Sequence, residues 1–257
     1  MKIKTFIKLF NPRFLLSLKY GKCLVCSQKT IFVLNGSAET VRNHAVCIRC
    51  KSNSRNRHVV KIILESFKKQ GITKLADFQL HPKTLILNTS STSPIAKNLG
   101  SGSNIICSEY YDDVPLGKFK AGVLNQDLQN LTFEDNTFDL IISEDVFEHI
   151  PDYQKGFKEI HRVLKQNGCH IFTIPFYFDQ TSQKLFEIKD GKVVLNEPIE
   201  YHGDPIRGVI PCFHYLGYDL ISFLNQIGFV VRIEISKYVD QIEFSIFDCY
   251  TFITTKK

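Results

Sequence analysis

Asp127-Leu-Gln-Asn-Leu-Thr-Phe-Glu-Asp-Asn-Thr-Phe-Asp-Leu-Ile-Ile-Ser-Glu-Asp-Val-Phe-Glu-His-Ile150, continued by Phe157-Lys-Glu-Ile-His-Arg-Val-Leu-Lys-Gln-Asn-Gly168, decides the fold of this chain. Within it Phe138-Asp-Leu-Ile-Ile142 is a short apolar run, the pattern of a strand buried on both faces. A helix carrying Glu144, Asp145 and His149 is expected to follow. Residues 155–165 read as an amphipathic helix stopped by Asn167-Gly168, and His170-Ile-Phe-Thr-Ile174 as the next buried strand. Strand, helix and strand in this order make a parallel βαβ unit.

The same alternation extends outward. Thr84-Leu-Ile-Leu-Asn88 is a buried strand, followed by a Ser/Thr cluster and a helix opening at Ser93-Pro94. Asn104-Ile-Ile-Cys107 is a second strand, ending in Ser108-Glu109, and Ala121-Gly-Val-Leu-Asn125 a third, ending near Asp127. Downstream, residues 219–228 read as a helix, and residues 230–235 and 249–253 as closing strands. Strands spaced by helices of this size predict a doubly wound α/β sheet. Ligands of such sheets bind beyond the carboxyl ends of the strands. Asn88, Glu109, Asp127 and residues 143–145 all fall there.

The block from Asp127 to Gly168 resembles the central signature of class I S-adenosylmethionine-dependent methyltransferases of the type 11 kind. The resemblance is close over residues 85–174 and looser over the later strands. It implies a seven-stranded Rossmann-like sheet, its last strand antiparallel at an interior position, with S-adenosylmethionine as cofactor. By the same resemblance Glu109 accepts the ribose hydroxyls, Asp127 accepts from the adenine amino group, and Leu128 lies beside the ring. Ser143 and Glu144 then border the methionine half and the acceptor pocket. Glu109 stands 21 residues past Asn88, near the roughly 20-residue spacing of a ribose acid. One departure is plain. The family's first loop is rich in glycine, whereas Asn88-Thr-Ser-Ser-Thr-Ser-Pro94 has none. Asn88, Thr89 and Ser90 can still offer hydrogen bonds, but side chains with a Cβ restrict the positive-φ turns that glycine allows.

The N-terminal third carries different chemistry. Cys23-Leu-Val-Cys26 and Cys47-Ile-Arg-Cys50 are two CxxC pairs separated by twenty residues. Four thiolates at that spacing can close a tetrahedral zinc site. Residues 29–34 read as a strand, Asn35-Gly36 as a turn and residues 39–41 as the returning strand, the layout of a zinc ribbon. Its zinc would be structural, since four cysteines leave no open position. Two disulfides are the alternative, and they need an oxidising compartment for which no secretion signal argues. The other four cysteines are single. The expected domains are a basic amphipathic segment at 1–19, the ribbon at 20–54, and a catalytic domain at 55–257 with an insertion at 175–215.

Residues 1–75 hold 16 Lys/Arg against two acids (net +14), while residues 76–257 hold 16 against 24 (net −8). A basic front suits an anionic partner, either RNA or a lipid surface, or else is solvated and partly balanced by thiolates. Ile3, Phe6, Ile7 and Phe10 have helical spacing before Pro12, so this segment either lies on a membrane surface or packs on the body. Arg55, Arg57 and His58, in a helix capped by Ser54 or Asn56, either hold phosphates or fix the ribbon to the main domain through carboxylates. No apolar run reaches the roughly 20 residues of a spanning helix, so the expected location is cytoplasmic, with peripheral membrane contact as the variant.

The insertion should shape the acceptor site. Leu185-Phe-Glu-Ile-Lys-Asp-Gly-Lys-Val-Val-Leu195 reads as a hairpin with an Asp-Gly turn, and Glu200-Tyr-His-Gly-Asp-Pro205 as a polar loop. His202 is the first candidate general base, oriented by Asp204, with His149 second and His214 third. Pro211-Cys212 lies far from where cytosine-carbon methyltransferases carry that pair, and reads as chance. The ribbon in front and Glu-Tyr-His-Gly-Asp-Pro behind resemble methyltransferases of bacterial glycan pathways. That implies O-methylation of a sugar or another small polar acceptor. RNA methylation and a non-catalytic binding module on the same fold are the alternatives.

Overall fold

Three antiparallel strands, β1 (Leu18–Lys22), β2 (Lys29–Val33) and β3 (Val46–Cys47), open a computed structural model that describes residues 18–34, 41–189 and 192–257. The expected amphipathic segment falls almost wholly outside the described residues, and so does the Asn35-Gly36 turn. The returning strand is Val46–Cys47, whereas Val41–Asn43 forms a 3-10 turn. Phe32 pairs with Cys47 and Lys22 with Lys29, so both cysteine knuckles fall at one end of the small sheet.

Helix α1 (Ser54–Ser66) follows. Its cap is Asn53, whose side chain accepts from Asn56 N while Asn56 answers with its own carbonyl. The cap thus lies one residue ahead of the expected Ser54, and Asn56 serves as the reciprocal partner.

The central strands are β4 (Ile86–Asn88), β5 (Ile105–Glu109), β6 (Phe119–Lys120), β7 (Val123–Asn125), β8 (Phe138–Glu144) and β9 (Leu164–Thr173). Seven short strands fill the insertion: β10 (Phe176–Tyr177), β11 (Gln183–Lys184), β12 (Phe186–Lys189), β13 (Lys192–Leu195), β14 (Tyr201–Asp204), β15 (Gly208–Pro211) and β16 (His214–Gly217). β17 (Phe229–Ile235) and β18 (Tyr250–Lys256) end the chain. The main sheet runs β17-β18-β9-β8-β4-β5-β7-β6. β18 is antiparallel to both neighbours, at the interior position expected. Eight strands replace the expected seven, because Ala121 and Gly122 both take positive φ and fold β6 back along β7.

Side chains alternate across this sheet as a period of two requires. Ile86, Leu140, Ile142, Ile171 and Ile253 join one core with Val59, Ile62 and Ile63 of α1 and Ile95 and Leu99 of α2 (Pro94–Leu99). Leu87, Ile141, Phe172 and Phe252 join the other, with Phe157 and Ile160 of α3 (Tyr153–Val163) and Leu220 and Leu224 of α4 (Asp219–Gln226). The first core also takes in Cys23, Val25, Phe32 and Cys47, so among the described residues the cysteine lobe has no apolar core of its own.

The helix expected directly after β8 does not form. Asp145 takes a left-handed φ of 52°, a 3-10 turn covers Phe147–His149, and α3 starts only after Asp152 caps it by accepting from Lys155 N. Likewise Asn167-Gly168 does not stop a helix. The helix has ended at Val163, and Asn167 (φ 63°) sits where the β8–β9 register jumps between Leu164 and Cys169. No helix among the described residues is long and apolar enough to cross a membrane.

Candidate active site

A cleft of about 1320 Å³ opens at the carboxyl ends of β4, β5, β7 and β8, walled by the lobe and α1 on one side and by the insertion on the other. Its floor begins with the glycine-free loop after β4. None of residues 89–93 has positive φ, so the loop does not use the conformation that glycine uniquely permits. Its own side chains hold it. Asn88 Nδ2 donates to Ser90 O (2.6 Å), Ser90 Oγ accepts from the N–H groups of Thr92 and Ser93, and Ser93 Oγ caps α2 by accepting from Ala96 N. Asn88 itself is buried beneath the cleft as a brace, whereas Thr89 and Ser90 line it. Thr89 Oγ1 is buried with no hydrogen-bond partner.

Glu109, at the end of β5, accepts from Ser91 N (2.6 Å) and Ser91 Oγ (2.9 Å) on Oε1 and faces the cleft. Asp127 lies beyond β7, its Oδ1 accepting from Gln129 N (2.8 Å), with Leu128 beside it on the same wall. Ser143 departs from expectation. It is buried under the cleft with its hydroxyl 2.8 Å from His170 Nε2, and strand alternation turns Glu144 into the cleft instead. Glu144 Oε1 accepts from Asn56 Nδ2 (2.5 Å), and burial raises its carboxyl above the ordinary range against the opposing pull of Arg55.

The lobe reaches this floor through cations that the sequence reading left between two roles, or passed over. Arg55 pairs with Asp145, as does Arg42 (2.5 Å), and Thr173 Oγ1 donates to the other oxygen (2.9 Å). Arg57 is fully buried and donates to the carbonyls of Ser52, Ala45, Phe244 and Ser245 at 2.6–2.9 Å. His58 Nδ1 lies 2.8 Å from Thr251 Oγ1. Docking is therefore what these residues do, mostly through backbone oxygens rather than carboxylates. Arg42 and Asn56 carried no local signal, since their partners stand 103 and 88 residues away.

On the opposite wall the β14–β15 hairpin sets His202 against His149, with Nδ1 3.2 Å from Nε2. The group that orients His202 is Glu200, 3.2 Å from Nε2. Asp204 instead accepts from Ile206 N and Arg207 N and so closes the hairpin turn. His214 is buried and bonded to Pro151 O (3.0 Å), away from the cleft lining. Beneath the histidine pair lie Glu148 and Cys212, which the sequence reading did not select. Burial pushes the Glu148 carboxyl up to about 7 and the Cys212 thiol up to about 12, and holds His149 down at about 4.

At the far side of the lobe, the sulfurs of Cys23, Cys26, Cys47 and Cys50 all lie within 4.8 Å of one another, as free thiols rather than disulfides. Cys23 Sγ and Cys50 Sγ are 3.7 Å apart, and Ser52 Oγ lies within 3.3 Å of both.

An open sheet in this order, with acids beyond β5 and β7 facing one cleft at the carboxyl ends of its strands, defines a Rossmann-like fold. Residues 99–172 match the family described as a methyltransferase domain. The chain is 32% identical over 65 residues to a sarcosine/dimethylglycine N-methyltransferase of Halorhodospira halochloris, covering 25% of this chain and 23% of that protein. It is 31% identical over 84 residues to a demethylmenaquinone methyltransferase of Staphylococcus epidermidis, covering 30% of this chain and 35% of that one. The matches thus span about a quarter to a third of those curated relatives. Among solved structures, an S-adenosylmethionine-dependent methyltransferase from Clostridium acetobutylicum aligns with a TM-score of 0.42 at 15% identity, over 79% of this chain and 99% of that one.

Proposed function

We propose that this chain is an S-adenosylmethionine-dependent methyltransferase acting on a hydroxyl of a sugar or another small polar acceptor. The observation that carries the reading is the shared cleft. Thr89, Ser90, Glu109, Asp127 and Leu128 line one end, and the His202–Glu200 pair stands at the other. The donor set fits the cofactor. A carboxylate beyond β5 suits a vicinal diol, a carboxylate beyond β7 suits an amino group on a flat ring, and the orphaned Thr89 hydroxyl marks a polar partner still wanted. When bound, the cofactor supplies an electrophilic sulfonium methyl. The residues of the chain align an acceptor oxygen with it and take the acceptor's proton through the His202–Glu200 pair. His149 stays back as a neighbour of His202, since its Nδ1 is already committed to Pro211 O (2.8 Å).

In the same reading the four-cysteine cluster holds a structural zinc, with residues 20–54 as its ribbon and 175–215 as the acceptor-site insertion. Four thiolates around Zn²⁺ carry a net charge of −2. Burial lowers the Arg57 guanidinium to about 10 against the opposing pull of Cys23, Cys47 and Cys50, and its hydrogen bonds go to neutral carbonyls, so a thiolate cluster beside it would balance its charge. This supports zinc over disulfides.

Isothermal titration calorimetry with S-adenosylmethionine and S-adenosylhomocysteine, on zinc-replete wild type and Glu109→Ala, tests the reading. Micromolar binding weakened in the variant supports it, and sugar acceptors are then screened against RNA for methyl incorporation. No heat with folded protein overturns it in favour of a binding module.

A further inference from the structure

Outside the cysteine lobe, three potential metal ligands from three separate segments meet at the insertion wall. His149 follows β8, His202 lies on β14, and Cys212 follows β15. One ligand atom from each falls within 4.8 Å of the other two. A fourth group faces them. Glu148 is 1% exposed, and both its carboxylate oxygens lack a hydrogen-bond partner. Its Oε1 lies 3.7 Å from His149 Nε2 and 3.9 Å from His202 Nδ1.

The hydrogen bonds around the two imidazoles set which atoms face inward. His149 Nδ1 is 2.8 Å from Pro211 O, and a carbonyl can only accept, so that nitrogen carries the proton. His202 Nε2 lies 3.2 Å from the Glu200 carboxylate, so in the neutral ring it too is the donor. With both rings neutral, the inner atoms, His149 Nε2 and His202 Nδ1, present lone pairs to each other across 3.2 Å. Cys212 Sγ lies over the His202 ring, 3.4 Å from both of its nitrogens, and 3.9 Å from His149 Nδ1. Two ring nitrogens, a thiol and an unpartnered carboxyl group converge on one point.

We propose that this point is a second metal site, taking a zinc-class divalent ion on His149 Nε2, His202 Nδ1, Cys212 Sγ and Glu148 Oε1. Ligand bonds of 2.0–2.3 Å in a tetrahedron put neighbouring ligand atoms about 3.3–3.8 Å apart. The His149–His202, His149–Glu148 and His202–Glu148 separations of 3.2, 3.7 and 3.9 Å fall on or near those edges, and closing the fourth corner takes a turn of the Cys212 side chain off the His202 ring. The outer bonds to Pro211 O and Glu200 match the way ligating histidines donate their second N–H to an oxygen, which fixes tautomer and ring plane. A thiolate and a carboxylate neutralise the ion, and binding expels the Cys212 proton to solvent. Nitrogen, sulfur and oxygen donors together select zinc over magnesium or calcium.

Such an ion staples the β14–β15 hairpin to the turn after β8, and so builds the acceptor wall onto the sheet. It also bears on the base proposed above, and to that extent rests on the same reading. With Nδ1 of His202 on the metal, proton acceptance in the His202–Glu200 pair falls to the carboxylate.

The test is the zinc content of the purified 257-residue chain by plasma mass spectrometry, wild type against Cys212→Ser and His202→Gln. Each variant should hold one equivalent less than wild type while the tetrathiolate's share is unchanged. His202→Gln sits at the partly exposed rim and guards against a folding failure of the buried Cys212 variant. Glu148→Gln should release the second ion to a competing chelator at least tenfold more readily. Equal zinc in wild type and both folded variants overturns the site. The count needs no cofactor, so failure of S-adenosylmethionine binding with a full count would sink the enzyme reading and leave this site standing.

Discussion

Ser91 donates twice to one oxygen of Glu109, through its backbone N–H at 2.6 Å and its hydroxyl at 2.9 Å. The glycine-free loop is thereby tied to the acid proposed to grip the cofactor's ribose, and loop and acid hold each other in place for it.

Glu109→Ala should lower affinity for S-adenosylmethionine about a hundredfold. Two hydrogen bonds to a charged group at a net ~1.5 kcal/mol each come to about 3 kcal/mol. Ser91→Ala keeps the backbone bond, and should change affinity only a few-fold. Calorimetry on both variants checks the pair of outcomes. Equal losses would mean that the loop, not the acid, makes the main contact.

Arg57 gathers four carbonyl groups, two from the lobe and its exit and two from the segment before β18, and covers the Phe32 ring at 4.3 Å. Arg57→Met fills the volume but strands those oxygens away from water. A loss of about 3–5 kcal/mol in urea unfolding is expected, with Arg57→Lys recovering only part, because an ammonium cannot reach four acceptors in a planar fork.

Stripping metal with a chelator should unfold the lobe before the sheet. The lobe shares the apolar core of α1 rather than having its own, so its strands depend on the sulfur cluster and on docking. Hydrogen exchange should show residues 18–33 and 46–52 losing protection first. Cofactor affinity should fall with it, because Arg42 and Asn56 reach the cleft floor from this side.

Burial holds His58 down at about 4, against about 6.5 for the free side chain. Between those values the unfolded chain binds the proton and the folded chain does not. Stability therefore rises with pH, is complete above about 6.5 and is lost as pH falls toward 4. The gap corresponds to about 3 kcal/mol for this one group. His170, held at about 3 by full burial, acts in the same direction. Urea midpoints measured from pH 7.5 to 5 should drop steeply in wild type and less steeply in His58→Gln. Parallel curves would show that His58 is not the group that titrates.

Much of the fold is legible in short stretches. The apolar runs of β4, β8 and β9 declare strands buried on both faces, and Ser93-Pro94 caps α2 where its residue types say it should. The places that misled are where backbone geometry overrode a local signal. Asp145 turns left-handed and delays α3, and Asn167-Gly168, a helix-stopping pair by type, instead serves a register jump. Glu144 meets the cleft and Ser143 does not, because β8 continues through both residues and strand alternation sends their side chains to opposite faces.

The sequence by itself determined the central strands β4, β5, β7, β8 and β9, the acids at two strand ends and the paired cysteines, since each is written in residue type and spacing within a few dozen positions. Tertiary structure alone decided that Glu200 rather than Asp204 holds His202, that Glu148 and Cys212 lie beneath the histidines, and that Arg57 binds carbonyls instead of phosphates. Glu200 is two residues from His202, as Asp204 is, and the hairpin turn that takes up Asp204 leaves the contact to Glu200. The other partners stand far apart along the chain, 53 residues for His149 and His202 and 188 for Arg57 and Ser245. Contacts of that range follow from how the sheet, lobe and insertion pack, and no local pattern of charge or polarity specifies them.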